Sequence, residues 1–402
     1  MTDAGPLHLD ALIFGGGAAG LWLLHELRRR GFSCLLIESR ALGAGQTIAS
    51  QGILHGGLKY SLRGLISPSA QMVSEMPSVW HSCLTGERSP DLRDVRVLSP
   101  CCFLWRTDSV ASRLGLLGAK VGLRTPVQTV ERTHRPEALR GAPGEVLRVD
   151  EPVIDASSLL SVLADAHRLW IILVQDPCDI TLSARGPGEV DGIALRHPPT
   201  DETVSLRPRF VVLTAGEGND KLRQALGLSR EVMQRRPLHM VLVRGALPAL
   251  FGHCVDGDRT RVTTTSAVDS AGRTVWHMGG ELAERGVEMN EADLITQAQR
   301  ELSAVLPGVD LRGAQWASYR IDRAEGRTSV GTRPDGPVWR REGNVITAWP
   351  TKLVLAPRLA EMIADEVGDP QLRDGTEALA RLDFPRPAVA APPWEVNQRW
   401  HS

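Results

Sequence analysis

Runs of apolar residues separated by glycine-rich turns dominate the start of the chain. An apolar run over 11–14 ends in a cluster of glycines, a stretch with leucines at helical spacing follows and ends at Gly31, and a second apolar run over 34–37 ends at Glu38. Short apolar runs bounded by glycine are typical of buried strands, and leucines at helical spacing are typical of a helix with one buried face. The opening pattern therefore predicts a strand, a glycine turn, a helix and a second strand.

Further strand-like and helix-like stretches follow along the chain. Alternating or wholly apolar segments predict strands, and longer stretches with helical spacing predict helices. The predicted strands are 95–105, 169–174, 179–184, 190–196, 210–213, 238–244, 259–265, 274–279 and 344–349, and the predicted helices lie within 67–90 and at 157–166, 291–305 and 357–367. Asn290 is expected to cap the helix that starts at 291, and Gly368 to close the final helix. The fold class is therefore α/β, or α+β overall.

The glycine turn contains the residue types that a dinucleotide site requires. Gly15 and Gly17 lack a Cβ, so backbone amides can approach a pyrophosphate at the positive end of the following helix, and Gly20 lets that helix lie close to the strand. Glu38 falls where a carboxylate can accept hydrogen bonds from an adenosine ribose. An acid at this position disfavours a 2′-phosphate, which leaves NAD and FAD. The predicted cofactor-binding residues here are Gly15, Gly16, Gly17, Ala18, Ala19, Gly20, Glu38, Ser39 and Arg40.

Composition narrows the function further. The 402 residues favour two domains, and 46 basic against 47 acidic side chains give no electrostatic footprint for nucleic acid. No apolar run approaches the ~20 residues that a spanning helix needs, so a cytoplasmic location is expected, with peripheral membrane contact still compatible. The six cysteines have neither zinc nor redox spacing, and no metal site is predicted.

A polar segment after the first unit suggests a family. Residues 40–61 read RALGAGQTIASQGILHGGLKYS, and a long irregular segment of this kind often binds a ligand through its backbone amides. The whole pattern resembles the FAD-dependent oxidoreductases of the D-amino-acid oxidase and glycerol-3-phosphate dehydrogenase superfamily. The HGGLKY at 55–60 is most similar to the glycerol-3-phosphate dehydrogenase branch. The resemblance implies FAD as cofactor and places further residues on it: Gln46, Thr47, Ser50, Gln51, Gly52, Val174, Ala215 and Gly216.

The same resemblance implies catalytic residues. Either His55 or His239, in RRPLHMVLV, is the candidate base, because neutral imidazole titrates near working pH. Arg323 matches the arginine that holds the substrate's anionic group, with Arg320 and Arg327 as near competitors. This task suits a planar cation with two parallel donors. Residues 351–361 resemble the family's GKL segment, and Lys352 is expected to stabilise the reduced flavin with the help of the final helix. The remaining predicted residues are Lys59 and Tyr60 as catalytic, and Thr351, Lys352 and Leu353 on the cofactor.

Domain organisation also follows from the resemblance. A Rossmann-like FAD-binding domain is expected from the discontinuous segments 1–85, 147–230 and 325–402. A smaller mixed-sheet substrate domain is expected from 86–146 and 231–324. Beyond Arg373 the chain is Pro-rich and polar and is interpreted as a trailing arm.

The predicted function is a FAD-dependent dehydrogenase or oxidase that takes a hydride from a small anionic hydroxy substrate, such as a polyol phosphate or 2-hydroxy acid. One alternative is an amine or amino-acid oxidase, and another is a flavin-containing accessory protein without turnover. A plain NAD-dependent dehydrogenase is disfavoured, because simple NAD folds need neither the 40–61 segment nor the C-terminal return. The electron acceptor stays open between oxygen, a quinone and a partner protein.

Overall fold

The computed structural model of the protein describes residues 5–56, 72–107, 127–256, 259–372, 383–396 and 399–402. The strands within these ranges are β1 (Leu7–Phe14), β2 (Cys34–Glu38), β3 (Val97–Ser99), β4 (Cys102–Trp105), β5 (Val127–Thr129), β6 (Val146–Val149), β7 (Val153–Ile154), β8 (Ile171–Leu173), β9 (Ile180–Gly186), β10 (Glu189–His197), β11 (Glu202–Leu213), β12 (Met233–Gly245), β13 (Gly252–Asp256), β14 (Arg259–Val268), β15 (Thr274–Gly279), β16 (Gln315–Gly326), β17 (Val338–Glu342) and β18 (Val345–Trp349). The α-helices are α1 (Ala18–Arg29), α2 (Met76–Leu84), α3 (Ala156–Asp165), α4 (Asn219–Ala225), α5 (Glu281–Arg285), α6 (Glu291–Val305), α7 (Ala356–Val367) and α8 (Pro393–Val396).

The first sheet is built around the opening strand. β1 lies between β2 and β11, and all three are parallel. β8 and β18 extend the parallel part at its two sides, β17 adds an antiparallel edge, and the β9–β10 hairpin pairs along β11. Helices α1, α3 and α7 cover one face, where Leu24, Leu160 and Ile363 share an apolar core with Leu36. The predicted strand, glycine turn, helix and strand are therefore confirmed, and they form the centre of this layer.

The second sheet has the order β16-β12-β15-β14-β13-β4-β6-β5. It is mostly antiparallel, with one parallel pair between β4 and β13. Helix α6 packs on one face, where Val241 and Val243 of β12 meet Leu294 and Ala298. Asn290 caps this helix as predicted, since its side chain accepts a hydrogen bond from the Asp293 N–H. The mixed α/β class is confirmed, with two eight-stranded sheets and a small β3–β7 sheet among the described residues.

The predicted single strand at 95–105 is wrong. Its first half, β3, pairs with β7, whereas its second half, β4, pairs with β6 and β13 of the second sheet. Pro100 lies between the two halves. Because proline has no N–H to donate to a ladder, pairing stops there and the chain passes from one sheet to another.

Two polar strands, β16 with 12 residues and β17 with 5, were not predicted. β16 mixes apolar residues with polar ones such as Tyr319, Asp322 and Arg323, and β17 contains two adjacent arginines. Neither strand therefore shows a regular alternation of apolar and polar residues. Tertiary pairing with β12 and β18 makes them strands in spite of their composition.

The C-terminal segment does not trail away from the body. Leu42 donates its N–H to the Ala388 carbonyl, and Leu173 donates to the Pro385 carbonyl, so part of the segment lies along the first layer. Trp316 of β16 exchanges two backbone hydrogen bonds of 2.7 Å with His401. The described part of this segment therefore contacts both sheets.

The strands of the first sheet come from three separated parts of the chain, 7–38, 171–213 and 338–349. The division into domains at 85, 147, 230 and 325 stays a prediction. Among the described helices, none has the length and apolar character required to cross a bilayer.

Candidate active site

The glycine turn is a tight cradle between β1 and α1. Gly15 has a φ of +105°, and a Cβ on it would lie 2.5 Å from the Ala215 Cα. A Cβ on Gly20 would lie 1.9 Å from the Gly15 carbonyl oxygen. Both positions therefore exclude any side chain, because the backbone of the turn, the helix and the end of β11 already touch.

Glu38 lies at the mouth of this turn. One carboxylate oxygen accepts the Gly16 N–H at 2.7 Å, and the other accepts the N–H groups of Ser39 and Arg40 at 2.8 and 2.9 Å. A carboxylate has about four acceptor positions, so it can still accept a ribose hydroxyl. Val174 adjoins the same strand end, since its N–H donates to the Glu38 carbonyl.

The start of α1 is in contact with the polar loop. Gly17 is the N-cap and supplies no side-chain cap, and Ala18 and Ala19 form the first turn. The Ala18 N–H donates to the Thr47 hydroxyl at 3.1 Å. The Ser50 hydroxyl is buried and makes no hydrogen bond to any described residue. A buried hydroxyl at this point fits a site shaped for a ligand.

The loop also crosses to the second sheet. The Gln46 side-chain oxygen accepts the Ala324 N–H at 3.0 Å. The Gln51 side-chain nitrogen donates to the carbonyls of Thr263 and His277 at 3.1 and 2.8 Å. The two glutamines thus fix the loop between the layers.

The remaining predicted loop and strand-end residues are held by backbone packing. A Cβ on Gly52 would lie 2.0 Å from the Ile154 carbonyl oxygen. Gly216 has a φ of +57°, and the Ala215 N–H donates to the Asn219 side chain at 2.8 Å. Gly15, Glu38, Val174 and Ala215 therefore meet at the carboxyl ends of β1, β2, β8 and β11, which is where ligands bind in open α/β sheets.

The turn before α7 has an unusual backbone. Thr351 has a φ of +67°, a left-handed conformation that is rare for a β-branched residue. Its hydroxyl donates to the Gly336 carbonyl at 2.8 Å, and the Lys352 N–H donates to the Pro350 carbonyl at 2.7 Å. Lys352 and Leu353 then lead through a short 3₁₀ turn into α7. Thr351 therefore has a backbone conformation typical of glycine. Glycine is the first residue of the GKL segment that residues 351–361 resemble.

Arg323 on β16 is largely buried and lies near two other arginines. Burial, and then repulsion from Arg236 and Arg333, lower the pKa of Arg323 from 12.5 to about 10. Among the described residues, Arg323 has one ion pair, a contact of 3.2 Å with Glu284, and its Nε makes no hydrogen bond. Arg236 instead makes two bonds of 2.7 Å to the fully buried Glu325. Two neighbouring cations thus repel the Arg323 guanidinium, and its Nε is left without a partner among the described residues, which favours an anionic ligand.

His239 lies on the other face of this sheet. It is buried, and its two ring nitrogens contact the Gly286 carbonyl at 3.0 Å and the Ser318 hydroxyl at 2.9 Å. Side chains alternate along β12, so His239 shares its face with Val241, which packs against α6, and not with Arg323. The structure does not bring His239 together with the other predicted residues, because its position in the pleat directs it away from them.

His55 lies at the end of the polar loop in a cluster of three chain segments. Its Nδ1 is 3.1 Å from a carboxylate oxygen of Glu151, and the other oxygen of Glu151 accepts the Gly56 N–H at 2.6 Å. The ring of His253 stacks on that of His55 with centroids 5.5 Å apart. The His253 Nδ1 is in turn 2.8 Å from the Thr263 hydroxyl.

Sequence reasoning missed two members of this cluster. Glu151 precedes the predicted helix at 157–166 and carries no motif of its own, and neither does His253. No pattern within one segment could have joined them to His55. Lys59 and Tyr60, both predicted catalytic residues, lie outside the described residues.

Sequence reasoning also missed a buried pair beside Arg323. The Tyr319 hydroxyl is 2.6 Å from the Nε2 of His277. Burial raises the pKa of Tyr319 and lowers the pKa of His277 to about 4. Since Tyr319 and Arg323 are four residues apart on one strand, they share a face of the sheet.

The residues around the turn fit a dinucleotide with a flavin. The cradle excludes Cβ atoms, an acid lies where a ribose would bind, and a loop with an unsatisfied buried hydroxyl connects the two layers. The residues that would hold FAD are those of the turn, Glu38, the loop, the end of β11 and the turn before α7.

Comparisons with known proteins agree with this chemistry. The model of the family "FAD dependent oxidoreductase" matches residues 10–366. The chain is 39% identical over 395 residues to the probable FAD-dependent oxidoreductase PA4991 of Pseudomonas aeruginosa, a match that covers 97% of this chain and 98% of that protein. The crystal structure of that protein superposes with a TM-score of 0.81 over 97% of this chain and 98% of that one.

More distant similarities include proteins with named substrates. Alpha-glycerophosphate oxidase of Streptococcus pyogenes is 25% identical over 251 residues, covering 60% of this chain and 41% of that protein. Glycine oxidase of Geobacillus kaustophilus shares the fold, with a TM-score of 0.63 at 18% identity over 94% of this chain and all of that one. By its family match over most of its length and its near full-length relative, the chain belongs to the FAD dependent oxidoreductase family and uses FAD.

Proposed function

We propose that this oxidoreductase acts on a small anionic substrate with a hydroxyl group, such as a polyol phosphate or a 2-hydroxy acid, and that it is functionally close to the glycerol-3-phosphate dehydrogenases. The observation that carries the proposal is Arg323, a largely buried guanidinium with two neighbouring cations and, among the described residues, one exposed carboxylate partner. A bound anion would balance this charge and accept hydrogen bonds from its planar fork.

FAD, when bound, supplies the acceptor for the hydride that leaves the substrate carbon. His55 takes the hydroxyl proton, so the O–H electron pair becomes part of the new carbonyl group. Arg323 holds the anionic end of the substrate with its planar, charged fork. Lys352 and the positive end of α7 stabilise negative charge on the cofactor side.

The partial similarity to alpha-glycerophosphate oxidase supports a hydroxy substrate. A second candidate is an amino acid or another amine with a carboxylate, because Arg323 would bind that carboxylate equally well. A substrate-independent role as an accessory protein is the third candidate, and it predicts bound FAD that no small molecule bleaches.

Anaerobic reduction of the FAD-loaded protein tests these candidates. Glycerol 3-phosphate, lactate and glycine are each added, with glycerol as the control that lacks an anion, and the visible flavin band is followed. Bleaching by glycerol 3-phosphate or lactate but not by glycerol supports the proposal. Bleaching by glycine alone supports the second candidate, an amine or amino-acid oxidase. If none of the three compounds bleaches the flavin, neither substrate class is turned over. Reoxidation of the bleached protein by oxygen or by a soluble quinone then identifies the electron acceptor.

A further inference from the structure

We propose that Glu151 and His253 are positioning residues for His55: Glu151 holds the proton on Nδ1, so Nε2 is left as the base, and His253 fixes the plane of the ring. The role of His55 as the base rests on the proposed function. The placement of its proton rests on the geometry alone.

The hydrogen bonds around Glu151 fix which nitrogen carries the proton. An ionised carboxylate only accepts hydrogen bonds, so the His55 Nδ1 that faces it must be the donor. A neutral imidazole has one donor and one acceptor nitrogen, and Nε2 is therefore the acceptor. Glu151 itself is fixed, because its side chain is 5% exposed and its second oxygen accepts the Gly56 N–H.

The orientation of the imidazole ring is fixed from a second direction. His253, which is buried, stacks on His55 with the two planes 28° apart. Thr263 contacts the His253 Nδ1, and the Thr263 carbonyl also accepts from Gln51 of the polar loop. The face and one edge of the His55 ring are thus held, while its side chain keeps 26% exposure. That is the arrangement a preorganised base requires.

Positive charge on His55 after proton transfer would also be stabilised by Glu151. The carboxylate would then be paired with an imidazolium at a distance of about 3 Å, as in the histidine–carboxylate pairs of hydrolases. His253 cannot supply this charge, so Glu151 is expected to affect the rate more strongly than His253.

A metal ion is the competing explanation of the cluster. One nitrogen or oxygen atom from each of His55, Glu151 and His253 lies within 4.8 Å of the others. Stacked rings, however, direct their lone pairs side by side and not towards one point, and the His55 Nδ1 already contacts Glu151. The geometry therefore favours a hydrogen-bonded cluster over a chelate.

Glu151→Gln is the informative variant. The Gly56 N–H requires an acceptor, so the amide oxygen of the glutamine must occupy that side and its NH₂ group must face His55. The Nδ1 of His55 would then have to accept, and the proton would move to Nε2. The shape of the site is kept, but the lone pair that acts as base is lost.

Nitrogen-15 NMR of the imidazole rings in the FAD-loaded protein reads this proton directly, with His55→Asn used to assign the signals. We expect neutral His55 to be protonated at Nδ1 in the wild-type protein and at Nε2 in Glu151→Gln. His253→Phe keeps a stacked ring and should keep the wild-type tautomer. Glu26→Gln alters another buried glutamate, one that is paired with Arg29 and Arg30, and should also leave the tautomer unchanged.

Flavin reduction by the best substrate supplies the second readout. Glu151→Gln should lower the maximal rate by about 100-fold or more, in line with the contribution of a general base, with little change in half-saturation. An unchanged His55 tautomer in Glu151→Gln would overturn the proposal. So would a stoichiometric metal ion in the purified protein that the variant loses. If no hydroxy substrate bleaches the flavin but the tautomer switches as expected, the proposed function fails and the positioning role of Glu151 stands.

Discussion

Arg236 and Arg323 lie directly opposite each other on β12 and β16, so two guanidinium groups share one face of the second sheet. Arg236 is neutralised by two short bonds to Glu325, whereas the one ion pair of Arg323 within the described part of the chain is with Glu284. The pair therefore combines a structural cation with one whose charge is available to a ligand.

Replacing Arg323 should weaken substrate binding. A hydrogen bond to a charged group contributes about 1.5–3 kcal/mol, so Arg323→Gln should raise the half-saturating concentration of an anionic substrate by about 10- to 100-fold. Titration of anaerobic flavin reduction measures this. Arg320→Gln is the matched control, because Arg320 lies on the other face and donates to the carbonyls of Val287 and Met289. An equal effect in both variants would contradict a specific role for Arg323.

High pH should weaken the same interaction. Since the pKa of Arg323 is lowered to about 10, its charge is present at neutral pH and is lost as the pH rises through that value. Binding of an anionic substrate should therefore fall above pH 10, and glycerol 3-phosphate titrations between pH 8 and about 11 measure it. An affinity that stays constant over this range would show that Arg323 is not the anchor.

Acid should destabilise the protein through His277. Its pKa is lowered from 6.5 to about 4 by burial, so the unfolded chain binds the proton first. The contribution of neutral, buried His277 to the free energy of unfolding is fully present above pH 6.5. It is lost as the pH falls through 4, which lowers the free energy of unfolding by about 3 kcal/mol. His277→Gln keeps a hydrogen-bond partner for the Tyr319 hydroxyl. In urea unfolding, the free energy of unfolding of this variant should fall less steeply between pH 6.5 and 4 than that of the wild-type protein. His8→Gln, at an exposed site, should leave the slope as it is.

Gly20→Ala should abolish FAD retention. The new Cβ would overlap the Gly15 carbonyl at 1.9 Å, which displaces the helix start from the strand and opens the cradle. Absorbance of the purified protein measures the flavin content. Gly5→Ala is the control, because a Cβ there meets nothing within 4 Å. Full FAD content in Gly20→Ala would contradict the location of the pyrophosphate.

Thr351 offers a test of backbone strain. Both Thr351→Gly and Thr351→Ala lose the hydrogen bond to Gly336, but only glycine tolerates the φ of +67° without a Cβ penalty. The glycine variant should therefore be more stable than the alanine variant by about 1 kcal/mol. Chemical unfolding of the two FAD-loaded variants measures the difference, and equal stability would mean that the turn has relaxed to another conformation.

Local patterns predicted the elements that depend on neighbouring residues. The turn at Gly15, the cap at Asn290 and the end of α7 at Gly368 follow from a few residues in a row, because cap and turn geometry is set by the local chain. The Gly15 turn is also the element on which the FAD prediction depends, which is why FAD was predictable.

Positions that depend on pairing between distant segments were not predictable in the same way. The sequence around His239 indicates a strand but not which face meets the cofactor layer, and only the pairing with β16 decides this. Glu151 and His253 join His55 from segments about 100 and 200 residues away, and no local rule links them. Pro100 is evident in the sequence, but the sequence does not show that the chain passes there from the β3–β7 pair to the second sheet.

The segment that contacts both Leu42 and Trp316 has a consequence for biosynthesis. Those two contacts link the first sheet layer to the second sheet. They can form only after the residues that make them, Ala388 and His401, have emerged from the ribosome. During synthesis this segment can therefore join the two sheets only later than Gln46 and Gln51, whose partners all lie earlier in the chain.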